Sequence, residues 1–251
     1  MKHLLICDDT KPETVVDLCR ERGYGIEVQA FYHPTALADA ALVEKTAELT
    51  GGLQVVAMHG PFGDLNTGSF DPLVRETARQ RIQQGYDIAS PLGAKHIVYH
   101  HGRVPRTNPE GSWIRNSVAF WDAFMAQVPH DVHVYLENML EEAPTVLCGI
   151  LDQLDRPNLR ANLDIGHAHC NSHTPVVEWI ESLRDRIGYV HLHDNHGQQD
   201  EHLGLGRGNI PLDDVFEALE ECAPAAMWAI EAEGIGVHQS IEWLDAHGLL
   251  C

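Results

Sequence analysis

Six apolar runs in this chain end in groups that bind cations or carry protons. One run closes in Met58-His59-Gly60 and the next in Tyr99-His100-His101-Gly102. The others close in Leu136-Glu137-Asn138, in Leu163-Asp164-Ile165-Gly166-His167, in His191-Leu192-His193-Asp194 and in Ile230-Glu231-Ala232-Glu233. A carboxylate ending an apolar strand, as Glu137 and Glu231 do, is costly to bury without a partner. Imidazoles and carboxylates drawn into one cleft repel each other or stay unsatisfied unless a cation joins them. A single histidine at a strand end is an ordinary hydrogen-bonded residue. Repetition over consecutive runs points instead to a divalent-metal site. After the seventh run, Asp200 and His202 are two apart, so in an extended stretch both point the same way and reach back as further ligands. Gly204, Gly206 and Gly208 permit tight turns and close backbone approach. Arg207 among them could meet a phosphate or carboxylate, although a plain turn explains the glycines equally well.

The elements that must position these groups alternate along the whole chain. Short runs rich in Val, Ile, Leu and Tyr lie at 3–7, 25–29, 54–59, 95–100, 132–137, 160–164, 188–193 and 226–231, as strands buried on both faces should. Helical stretches are predicted at 11–22, 35–50, 71–90, 112–128, 144–154, 175–186, 212–222 and 237–247. Pro12, Pro72 and Pro144 fit first-turn positions, and Asp71 and Thr174 fit N-caps. Gly23, Gly51 and Gly248 fall where helices should stop. Eight strand–helix units of about 31 residues predict an α/β chain folded as one (β/α)8 TIM barrel over 1–251. The absence of a glycine-rich first turn disfavours the open, doubly wound alternative. In a closed parallel barrel the six polar strand ends meet at one mouth, the C-terminal face where such barrels place their active sites.

Composition narrows the function further. With 37 acidic and 17 basic residues, the formal charge is −20, which disfavours a partner with a bare phosphate backbone. No apolar run is long enough for a membrane helix. The opening residues read as a first strand rather than a signal peptide. Six scattered cysteines without a CxxC pair argue against disulfides and cysteine-zinc sites, and favour a reducing, cytoplasmic setting. Nitrogen and oxygen donors without sulfur suit Mn, Co, Zn, Fe or Mg.

Taken in order, the Glu-Asn after strand five, the Asp-x-x-His of strand six, the His-Leu-x-Asp of strand seven, and Asp-x-His followed by Leu-Gly resemble the xylose isomerase-like TIM barrel superfamily. That superfamily includes sugar epimerases, inositol-catabolism enzymes and endonuclease IV. In the isomerase and epimerase branch the resemblance implies one metal held by Glu137, Asp164, His191 and Glu231. There Glu137 and Glu231 also exchange a proton with the substrate carbon. Similarity to the endonuclease IV branch implies a three-metal cluster, adding His59, His100, His167, Asp200 and His202. The expected cofactor is thus one to three divalent ions per chain. Dimers or tetramers are common in the family, so the resemblance also implies a homo-oligomer.

The first functional expectation is a metal-dependent isomerase or epimerase of a small sugar, keto-sugar or sugar phosphate. It would work by proton transfer through a metal-stabilised enediolate, and a dehydratase would use the same parts. The alternative is a multi-metal phosphoesterase resembling endonuclease IV, acting on apurinic sites or small phosphate esters. Short, mildly basic strand-end loops argue against nucleic acid. A degenerate, non-catalytic barrel fits poorly with a full ligand set. Phe62, Asn138 and Trp113 are expected to line the substrate pocket beside Arg207. His101, His193 and Asp194 are expected to orient ligands. Trp121, Trp179, Trp228 and Trp243 are assigned to the core.

Overall fold

The computed structural model describes residues 4–9, 11–154 and 156–250. The expected strand start at His3 and the sixth cysteine, Cys251, lie outside them. The strands are β1 (Leu4–Cys7), β2 (Gly25–Val28), β3 (Val56–His59), β4 (His96–His100), β5 (His133–Glu137), β6 (Leu159–Asp164), β7 (Ile187–Leu192) and β8 (Met227–Ile230). Among the described residues these eight strands form a closed parallel barrel in sequence order. β8 pairs back onto β1 with Leu5 opposite Ala229. The strand–helix alternation predicted this closure.

The two-residue period of a strand decides what each strand contributes. Leu4 and Ile6 face the helices, whereas Leu5 and Cys7 belong to a small interior cluster with Ala57, Val98, Tyr135, Tyr189 and Ala229. Tyr135 and Tyr189 fill the barrel axis, with ring centroids 5.0 Å apart. Two residues further along each strand, and so again facing inward, come His59, His100, Glu137, His191 and Glu231. An apolar plug thus floors a polar layer at the C-terminal mouth.

The helices are α1 (Val16–Arg22), α2 (Pro34–Leu37), α3 (Ala40–Thr50), α4 (Pro72–Ala89), α5 (Glu110–Met125), α6 (Thr145–Leu151), α7 (Ile165–Asn171), α8 (Val176–Leu183), α9 (Leu212–Cys222) and α10 (Gly236–Ala246). A 3-10 turn at Pro12–Thr14 precedes α1. The continuous helix expected over 35–50 is broken. Asp39 accepts from the N–H groups of Ala41 and Leu42, both at 3.1 Å, and starts α3 afresh. Asp71 caps α4 as expected, accepting from Leu73 N at 2.8 Å. Thr174 does not cap α8. Pro175 takes that position, and the Thr174 hydroxyl donates to the Glu142 carbonyl at 3.3 Å. Pro144 sits one residue before the first turn of α6. Trp121, Trp179 and Trp228 are fully buried, and Trp243 is half-buried against the core. No helix among the described residues is long and apolar enough to cross a membrane.

The glycine-rich segment after β7 wraps an internal carboxylate rather than an outside anion. Asp194 Oδ2 accepts from Gly206 N at 3.1 Å and Gly208 N at 2.9 Å. Its Oδ1 accepts from Asn195 N at 2.9 Å and Ile210 N at 3.2 Å. A Cβ on Gly208 would lie 2.2 Å from the Asn195 carbonyl oxygen and 2.4 Å from Asp194 Oδ1. Gly208→Ala is therefore expected to destabilise the fold by about 1–3 kcal/mol, or roughly 2–12 °C in thermal midpoint. A thermal melt with an unchanged midpoint would show that this staple carries no stability.

Candidate metal centre

The mouth gathers all nine residues proposed as ligands, and they fall into three groups. His59 and His100 flank Glu137, each Nε2 lying 3.2 Å from one of its carboxylate oxygens. Asp200 Oδ2 lies 3.1 Å from His167 Nε2 and 3.0 Å from His202 Nε2. His191 Nδ1 faces three carboxylates at once: Glu231 at 3.1 Å, Glu137 at 3.5 Å and Asp164 at 3.6 Å. Glu137 stands between the first and third groups, and Asp164 and Glu137 approach His167 Nδ1 within 3.5 and 3.3 Å.

Local chain geometry explains these positions. α7, which the periodicity did not reveal, starts directly at the end of β6. Asp164 is its N-cap, accepting from His167 N at 2.6 Å. One carboxylate therefore both starts the helix and faces the centre, and the helical turn brings His167 back beside it. His202 has φ +45°, so the Asp200–His202 stretch is not extended as expected. A left-handed turn brings the two side chains together instead.

The imidazole orientations support cation binding. His59 Nδ1 lies 2.8 Å from the Gly60 carbonyl, His167 Nδ1 3.0 Å from that of Asn138, and His202 Nδ1 2.7 Å from that of Glu231. A carbonyl can only accept, so each Nδ1 carries the proton and a neutral ring turns its Nε2 lone pair to a carboxylate. His191 is reversed. Its Nε2 meets both oxygens of Glu27 at 3.1 Å. That leaves His191 Nδ1 and Glu231 Oε2, both buried, without a hydrogen-bond partner although they lie 3.1 Å apart. Opposed lone pairs at this distance require either a proton on the imidazole or a cation between them. The donor set fits a divalent ion.

Without a cation, protons must do that work. Burial would lower His202, but the carboxylates of Asp200, Glu231 and Asp164 push it up to about 10. His191 and His167 are raised well above the usual imidazole value by surrounding carboxylates, against the opposing effect of burial. Burial would raise Glu137, yet His100 and His191 hold it well below the ordinary carboxylate range. Asp164 is lowered in the same way, against burial, by His167 and His193.

A cavity of about 280 Å³ opens over the cluster, and its wall includes Tyr32, Phe62, Met139, Gln29, Asp9 and Glu233. Phe62 stacks between Tyr32, at 5.4 Å and 18°, and His100, at 4.9 Å and 29°. Arg207 is exposed and absent from the cavity wall, because its loop closes around Asp194. Asn138 also lies outside the wall. Its side chain donates to Asp164 O and accepts from Asp164 N, both at 2.9 Å, locking β5 to β6. Trp113 is buried and donates to Asn66 Oδ1 at 2.8 Å. His193 Nε2 lies 3.1 and 3.2 Å from the two Asp164 oxygens. His101 faces away and pairs with Glu141 at 3.1 Å.

Sequence reasoning passed over Glu27, Gln29 and Cys7. The signal was present, since Glu27 and Gln29 are two apart in an otherwise apolar strand and so share the barrel's inward face. Cys7 brings sulfur to the cavity wall beside donors expected to be nitrogen and oxygen alone. Its thiol points to Glu27 Oε1 at 3.6 Å. Burial, then the Glu27 and Glu231 charges, push it well above the usual thiol value.

Comparison with known proteins agrees with this geometry. The chain is 31% identical over 191 residues to an uncharacterised protein of Methanocaldococcus jannaschii, a match covering 72% of this chain and 65% of that protein. It is 27% identical over 219 residues to a probable endonuclease 4 of Mycobacterium leprae, covering 82% of each. A D-tagatose 3-epimerase-like protein superposes with a TM-score of 0.83 at 25% identity, covering 98% of this chain and 97% of the other. The family profile described as xylose isomerase-like TIM barrel matches residues 16–247, and the chain belongs to that family.

Proposed function

We propose that this protein is a metal-dependent isomerase or epimerase of a small sugar or keto-sugar. The observation that carries this reading is the convergence of Glu137, Asp164 and Glu231 on His191 Nδ1 within 3.1–3.6 Å. These four residues would hold the ion, which when bound supplies Lewis acidity toward a carbonyl and a neighbouring hydroxyl. Glu231 is placed to carry the substrate proton. Its side chain lines the cavity beside Gln29. Glu137 is the candidate for returning a proton from the other side of the mouth. The stacked Tyr32 and Phe62 rings offer an apolar face for the C–H side of a sugar, and Asp9, Gln29 and Glu233 offer partners for hydroxyls.

The cavity volume supports a small substrate, being just under the roughly 300–1,000 Å³ usual for small-molecule sites. Among the described residues, no lysine or arginine contributes to its wall. With the net charge of −20, that weighs against a DNA duplex, which needs many phosphate contacts. The second reading, a multi-metal phosphoesterase, is favoured by one observation: the nine candidate ligands divide into three groups, as three ions would require.

One experiment separates the two. The protein is loaded with manganese or cobalt and incubated in D2O with unphosphorylated ketoses. Deuterium is expected at the carbon next to the carbonyl, together with the epimer or aldose. Absence of exchange across the ketoses, with release of phosphate from simple phosphate esters, would replace this reading with the hydrolase.

A further inference from the structure

The inward face of β2 carries two polar side chains outside the nine candidate ligands. Glu27 is fully buried, at 0% exposure. Burying a carboxylate requires compensation, and both its oxygens find it at His191 Nε2, 3.1 Å away. Its other neighbours include the Cys7 thiol at 3.6 Å, the Gln29 amide at 3.4 Å and the Tyr189 hydroxyl. Gln29 also donates from Nε2 to Glu231 Oε1 at 2.5 Å. Its own backbone N–H is held by Asp8 Oδ1 at 2.9 Å, fixing the end of β2.

These contacts decide which atoms face the centre. A carboxylate at Nε2 demands the proton there, so the ring of His191 presents a bare Nδ1. The Gln29 amide occupies Oε1 of Glu231, so Oε2 is the oxygen left bare. The two bare atoms are the pair that lies 3.1 Å apart. We propose that Glu27 and Gln29 are positioning residues that select Nδ1 of His191 and Oε2 of Glu231 as the metal-facing atoms. The proposal rests on the metal-dependent reading of the site and is independent of the substrate.

The mechanism differs from ordinary packing in what a substitution changes. Glu27→Gln keeps size and polarity, but an amide can turn either its oxygen or its NH2 toward Nε2. The demand for a proton on Nε2 is then lost, and both tautomers of His191 become accessible. Outer groups that fix a ligating histidine typically govern metal affinity by 10–100-fold.

The test uses zinc alone, in competition with a chromophoric chelator, on the parent protein, Glu27→Gln, Glu27→Asp and Gln29→Leu. Histidine side-chain NMR of the zinc-loaded proteins reports the tautomers, and thermal melts report the fold. Glu27→Gln is expected to bind zinc about 10–100-fold more weakly and to lose the fixed Nε2-protonated tautomer of His191. Glu27→Asp should recover part of both, and Gln29→Leu should weaken zinc several-fold, roughly the lower end of that range, with the tautomer kept. Gln29 is only half-buried, so Gln29→Leu keeps the proposal testable where the buried Glu27 variant fails to fold. A lower thermal midpoint with zinc affinity within about two-fold of the parent in both variants would reduce the pair to packing. A parent protein that binds no zinc would overturn this proposal together with the metal reading, whereas zinc binding without sugar turnover would leave this proposal standing alone.

Discussion

Glu231→Gln is expected to cut turnover by about 10²–10⁴-fold, the usual worth of a positioned proton carrier, while the protein still takes up a divalent ion. Glutamine preserves the shape of the side chain but cannot accept the substrate proton. Asp164, Glu137 and His191 remain to hold the ion. The matching change at Glu137 should behave differently. Glu137 meets His59, His100 and His167 and accepts from Asn162 Nδ2 at 3.0 Å. Removing its charge loosens two of the three ligand groups, so metal content should fall along with turnover. Rates of deuterium incorporation, measured beside elemental analysis, separate the two outcomes. Turnover by Glu231→Gln within about ten-fold of the parent would remove Glu231 as the proton carrier.

The second large effect is thermal, and its sign follows from the titrating groups. In the metal-free protein His59, His167, His191 and His202 are raised above the ordinary imidazole value, His202 to about 10. A raised group stabilises the fold fully below its unfolded pKa of about 6.5, and that stability is lost as pH rises through the folded value. Glu137, Asp164 and Asp200 are lowered. Their stabilisation is present above their unfolded values of about 4 and is lost in acid. The metal-free protein should therefore be most stable between about pH 4.5 and 6.5 and weaken toward alkaline pH. A cation takes the place of the imidazole protons, so its affinity grows over the same interval. At a thousand-fold excess over its dissociation constant a bound ion contributes about 4 kcal/mol, or roughly 8–16 °C for a chain of this size. Melts with zinc and with chelator should diverge as pH goes from about 6 to 9. A gap that stays constant or narrows over that interval would mean that the ion does not displace these protons.

Much of the site was legible because a strand repeats every two residues and a barrel closes in only one sense. The interior layer of Ala57, Val98, Tyr135, Tyr189 and Ala229 is followed, two residues later, by His59, His100, Glu137, His191 and Glu231. Apolar pattern and polar end together place these groups at the mouth. Asp200 and His202 reach the same mouth, although by a different backbone than expected. Glu27 and Gln29 were hidden because they precede no glycine turn and carry no histidine. Arg207 misled because a glycine-flanked arginine has the same local sequence whether its loop faces a ligand or closes on a buried aspartate.

The sequence by itself therefore determined the eight-unit barrel and the set of chemically competent side chains, since both follow from local periodicity and residue type, while the order of its motifs carried the family resemblance. Only the tertiary structure decided which nitrogen of each imidazole faces the centre. It also decided that Asp194 fills the glycine loop, that Asn138 ties two strands together, and that Glu27 and Gln29 reach His191 and Glu231. Those outcomes depend on contacts between residues as far apart as Glu27 and His191, which meet only when β8 closes onto β1. A chain's local pattern carries no information about which distant donor reaches an acceptor first, and that competition is settled by barrel register.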